Sequence, residues 1–139
     1  MNRLLASTAI AAAVLVGSSA EANCVQAQAA GFWSAYSSGV QGGESYWVKC
    51  TLHINTAGNI IETSGCTNSA GRVSVATGSI LAPGTGSCNY KGSITYKINN
   101  TTLTIDRLTL SQNKEIMEGV GSYNNGFVTF NMVRNRSGN

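Results

Sequence analysis

Tyr46-Trp47-Val48-Lys49-Cys50-Thr51-Leu52-His53-Ile54-Asn55 decides how this chain folds. With a period of two, Tyr46, Val48, Cys50, Leu52 and Ile54 fall on one face of a strand. Trp47, Lys49, Thr51, His53 and Asn55 fall on the other, so one face is buried and one meets water. Thr56-Ala57-Gly58-Asn59 then turns the chain, and residues 60–66 return as the antiparallel partner.

Working outward, residues 88–98 repeat the pattern, with Cys88, Tyr90, Ile94, Tyr96 and Ile98 on the buried face. Gly92 shares that face and marks a bend or relief of crowding. After Asn99-Asn100, residues 101–110 change phase between Ile105 and Leu108, which predicts a β-bulge. Asn124-Asn125-Gly126 is a hairpin signal ahead of a last strand that buries Val128, Phe130 and Met132. Further strands are expected at 32–38, 72–81 and 114–123, with the single proline, Pro83, in a loop. About eight short strands separated by Gly, Asn and Ser read as an all-β domain over residues 23–139. The architecture is a small antiparallel up-and-down β-barrel or a β-sandwich.

Ahead of this domain, Arg3 precedes an apolar run from Leu4 to Gly17, followed by small residues ending Ala20-Glu21-Ala22. That order is a signal peptide over residues 1–22. The run is too short to span a bilayer, which takes about 20 apolar residues. Cleavage after Ala22 therefore predicts an exported protein, periplasmic or extracellular, with no membrane span in the mature chain. Asn23 and Glu21 occupy positions where a lipoprotein signal carries a small and an apolar residue, which argues against a lipid on Cys24. Charged residues make up 11% of the chain and the net charge is +3, without a run of Lys and Arg. No nucleic-acid partner is expected on that basis.

Four cysteines, Cys24, Cys50, Cys66 and Cys88, remain after cleavage. An even number in an exported chain predicts two disulfides. The spacings contain no C-x-x-C and His53 is the single histidine, so no metal site or cofactor is expected. Of the three possible pairings, Cys24–Cys50 with Cys66–Cys88 is preferred, each expected to stabilise by about 3 kcal/mol.

Gly31-Phe32-Trp33 opens the first candidate strand, and Arg134 follows Phe130-Asn131-Met132-Val133 in the last. In these residues the chain resembles the calycin group, the lipocalins and avidins. The resemblance implies a closed barrel with Arg134 lying across Trp33 at its closed end. The C-x-L-x-I pattern of Cys50, Leu52 and Ile54 is also similar to that of small bacterial exported proteins, a likeness that implies no activity.

A triad hydrolase needs a nucleophile, a base and an orienting group, for which His53 and Asp106 are the one His and one Asp here. His53 lies on the wet face of its strand and reads as a solvated residue. The carboxylates Glu44, Glu62, Asp106, Glu115 and Glu118 form no convincing pair for glycoside hydrolysis. The expectation is therefore no catalysis. Trp47, a large aromatic on a polar face, is the leading candidate contact residue unless the N-terminal segment or a loop covers it. Trp33 and Tyr96 join it as candidate ligand-binding residues. Gly119 and Gly121 bracket Val120, where a ligand or another backbone segment can approach closely, although a bulge or tight bend is the preferred reading. The expected function is an exported binding module for a small apolar ligand, a glycan or a protein partner. The alternative is a structural or interaction protein of the cell envelope, including a peptidase inhibitor.

Overall fold

The computed structural model describes residues 24–82, 87–98, 100–124 and 126–136. The expected signal peptide and cleavage site, together with Pro83, Asn99 and Asn125, lie outside the described residues. The strands are β1 (Gly31–Gln41), β2 (Glu44–Ile54), β3 (Asn59–Ile60), β4 (Gly65–Asn68), β5 (Val73–Leu81), β6 (Asn89–Tyr96), β7 (Thr101–Leu110), β8 (Ile116–Tyr123) and β9 (Gly126–Asn135).

Successive strands pair antiparallel, and β9 returns to pair with β1 along Phe32↔Asn135 to Val40↔Phe127, closing the sheet. Both β3 and β4 sit between β2 and β5, so they are two pieces of one stave interrupted at residues 61–64. The result is a closed antiparallel barrel of eight staves rather than a sandwich, with no free edge strand among the described residues.

The alternation read in β2 is the burial pattern: Val48, Cys50, Leu52 and Ile54 are buried, with Lys49 and Thr51 exposed between them. Inward side chains from the other staves, among them Trp33, Tyr90, Ile94, Leu108 and Met132, fill the centre. A barrel of this stave number is wide enough for its side chains and little else. The phase change in β7 is a bulge at Asp106. Tyr90↔Leu108 is followed by Gly92↔Ile105 on one side, and Ile105↔Gly121 by Arg107↔Val120 on the other. One extra residue returns Leu108 and Leu110 to the interior. Gly119 and Gly121 face this bulge, where added Cβ atoms would lie 1.9 Å from the Arg107 carbonyl oxygen and 2.0 Å from that of Thr104. What approaches these glycines is the β7 backbone.

The disulfides are Cys24–Cys88 and Cys50–Cys66, which corrects the preferred pairing of Cys24 with Cys50 and Cys66 with Cys88. The reason is register. Ile54 pairs with Ile60, but Cys50 pairs directly with Cys66, because residues 61–64 slip the return strand by two residues. A slip of two keeps every side chain on its own face, so both thiols point inward and directly oppose each other. Cys24 is then left for Cys88, at the far end of the barrel.

That end is closed by residues 24–30, which include one turn of 3₁₀ helix, Gln26–Ala29. Its polar backbone groups are met by inward side chains, as burial requires. Trp33 Nε1 donates to the Ala29 carbonyl at 2.9 Å, and the Tyr90 hydroxyl donates to that of Val25 at 3.0 Å. Gln26 donates through Nε2 to Ile80 O and accepts at Oε1 from the Ala82 amide. Arg134 lies over the Trp33 ring, Cζ 4.3 Å from its centroid. Its guanidinium donates to the carbonyls of Gln28 and Ala30, each at 2.5 Å, and of Lys114 at 2.7 Å. Burial lowers the Arg134 pKa, an effect that Glu115 and Tyr90 oppose.

Candidate functional site

The opposite end carries the turns between β1 and β2, β4 and β5, β6 and β7, and β8 and β9, and it is open. A cup of 180 Å³ lies there, with Val48, Tyr96 and Leu103 at its base and Tyr46 and Tyr123 in its wall. Asn68, Ser69 and Arg72 form its rim. This volume is above the ~150 Å³ of an engineered apolar cavity that takes benzene and below the ~300 Å³ at which drug-sized pockets begin. The cup has room for one ring.

The three tyrosines reach it from three staves because each faces inward within three residues of a turn at this end. Tyr46 and Tyr123 pack with centroids 5.7 Å apart and planes tilted by 48°. Tyr46 can lean inward because its direct partner on β1 is Gly39, where a Cβ would sit 2.9 Å from the Tyr46 hydroxyl. That hydroxyl is buried and has no hydrogen-bond partner among the described residues. Such a group costs about 1–3 kcal/mol until a partner is supplied.

Burial holds the Tyr96 phenol well above its ordinary pKa, with Tyr123 and Tyr46 adding to the effect. Burial and Tyr123 raise Tyr46 as well. The Tyr46 and Tyr96 phenols are therefore neutral at physiological pH.

A pH dependence follows. An unfolded phenol ionises near pH 10, whereas the Tyr96 phenol in the barrel holds its proton beyond that. Its contribution is fully present below about pH 10 and is lost as pH rises through the folded value. Urea midpoints are expected to fall between about pH 9 and about pH 11, and less steeply in Tyr96→Phe. Equal slopes in the two proteins would refute the assignment to Tyr96.

Arg72 owes its place to a tight turn. Asn68 Oδ1 accepts from the amides of Ala70 and Arg72, and the Asn68 amide donates to the Arg72 carbonyl at 3.1 Å. Gly71, at φ +72°, lets the chain make the turn.

Of the residues singled out by sequence, Tyr96 lies in the cup, 9% exposed. Trp47 borders the rim, where its carbonyl accepts from the Ser69 amide. Its indole is half-exposed on the outside of the barrel and stacks with Tyr36, centroids 6.5 Å apart. Residues 24–30 lie at the opposite end of the barrel and do not cover it. Trp33 is fully buried at the closed end, so the structure does not bring it together with Tyr96 and Trp47. Sequence reading missed Tyr46, Tyr123 and Arg72. Their shared signal was an inward aromatic or a basic residue beside a turn, at three of the alternate turns along the chain.

His53 stacks on Phe32 with centroids 4.1 Å apart, and its Nδ1 lies 3.3 Å from the Thr63 hydroxyl. Asp106 occupies the β7 bulge, and β2 and β7 are not neighbours. Glu62 pairs with Lys97 and Glu115 with Arg136, both at the surface. Among the described residues no group of three His, Cys, Asp or Glu side chains could hold a metal ion, and no helix is long and apolar enough to cross a membrane. Protein-family models, curated proteins and solved structures were each compared with this chain, and none of them matches it.

Proposed function

We propose that this protein is an exported, non-catalytic binding module that takes a small ligand in the cup at the open end of its barrel. The observation that carries the reading is the buried Tyr46 hydroxyl, left without a partner among the described residues beside a cup of 180 Å³. Convergent polar groups on an apolar floor are the ordinary makeup of a ligand site. The two disulfides support export, since such bonds persist in oxidising compartments. The closed staves and the Arg134–Trp33 contact support a relation to the calycins.

A fragment screen by NMR on the mature protein tests the proposal. One-ring fragments are expected to shift the resonances of Tyr46, Tyr96 and Tyr123 in the intact protein. In Val48→Trp, whose larger side chain fills the cup, these shifts are expected to disappear while the fold persists. Fragments that perturb other surfaces and leave the three tyrosines unmoved would overturn it.

One observation favours the envelope-interaction reading. Phe127 is 84% exposed beside Val40 and Val120 on the outer face of β1, β9 and β8. Exposed apolar clusters of this kind mark contact surfaces. Phe127→Asp is expected to abolish capture of an envelope partner if that face serves as one.

A further inference from the structure

We infer that the ligand of the cup is a small aromatic carboxylate, its ring seated on Tyr96 and Leu103 and its carboxylate held at the rim by Arg72. The inference rests on the open-end cup being the binding site and adds the charge and size of what it takes.

Charge comes first. Arg72 lines the cup, and none of the side chains that share the lining is acidic. The ion pairs among the described residues join Lys97 to Glu62 and Arg136 to Glu115, which leaves the Arg72 guanidinium without a carboxylate partner there. A cationic residue lining a cup with no acidic side chain favours an anion, and a planar guanidinium can match a carboxylate through two parallel hydrogen bonds.

Size comes second. A cup of 180 Å³ accepts one ring and excludes a long acyl chain, because the interior below it is filled by the core. Val48, Leu103 and the tyrosine rings supply the apolar contact that a ring requires. The turn from Asn68 to Arg72 is fixed by its own hydrogen bonds, so Arg72 is anchored at its backbone before a ligand arrives.

Calorimetric titration of the full mature protein with phenylacetate, its neutral isostere phenylacetamide and cationic phenethylamine tests the inference, with NMR reporting the site. Phenylacetate is expected to bind about tenfold or more tightly than phenylacetamide, and phenethylamine weakest of the three. Arg72→Gln is expected to erase the preference for the acid, and Arg72→Lys to keep part of it. Arg72 is exposed in a turn, so an unchanged melting temperature is expected in both variants. Equal affinity for acid and amide, unaltered by Arg72→Gln while both shift the three tyrosines, would overturn the carboxylate and leave the cup as the site. Failure of all three probes to move those tyrosines would overturn both.

Discussion

Arg134→Ala is expected to lower the unfolding free energy by about 3–5 kcal/mol, the largest effect of any single surface-reaching side chain in this barrel. The guanidinium donates to the carbonyls of Gln28, Ala30 and Lys114, and it covers the face of Trp33. Truncation leaves these carbonyls without their donor and opens the indole to water. Each hydrogen bond from a charged donor contributes about 1.5–3 kcal/mol, and bonds sharing one side chain do not add fully. Arg134→Lys is expected to recover little, because a single ammonium cannot span three carbonyls on two separate segments. Urea denaturation of the three proteins measures the difference. A loss below about 1 kcal/mol for Arg134→Ala would show that the closed end holds without its clamp.

Removing Cys24–Cys88 with a pair of serines is expected to cost about 4 kcal/mol, against about 3 kcal/mol for Cys50–Cys66. The difference follows from loop size, since the sequence separations are 64 and 16 residues. It is reinforced by position. Cys50–Cys66 ties strands that already pair directly, whereas Cys24–Cys88 anchors a terminal segment that no strand pairing holds. Arg134 grips the same segment, so Arg134→Ala and the Cys24/Cys88 replacement are expected to be non-additive. Denaturant midpoints for the two double-serine proteins check the order. A greater loss from Cys50/Cys66 would contradict the loop-size account.

The barrel was legible wherever local pattern coincides with global geometry. The alternation in β2 shows its buried face directly, and the phase break between Ile105 and Leu108 shows the bulge at Asp106. Both are properties of a single strand, set by which side chains can leave water. The disulfide pairing was not legible because it depends on the interruption at 61–64, where four residues without alternation shift a register. The plug at 24–30 was hidden for a related reason: one turn of 3₁₀ helix has no periodicity to detect. The cup was legible only in part. Tyr96 could be placed on an inward face, but its company of Tyr46, Tyr123 and Arg72 follows from closure, which brings alternate turns of the chain to one rim. Trp47 stood out by breaking a polar face, yet the ring that stacks with it, Tyr36, comes from the neighbouring strand.

The seam between β1 and β9 governs how the molecule assembles. These staves are the first and last of the described sheet, and nine residue pairs from Phe32↔Asn135 to Val40↔Phe127 join them. Whatever the order in which the hairpins between them form, both margins stay unpaired until the C-terminal strand arrives. Arg134 reaches Gln28 and Ala30 only at that moment. Pairing across such a span is slow, because chain entropy is lost before contacts are gained. A product truncated before β9 would therefore expose two adhesive margins at once, so sheet closure and protection from self-association are the same event.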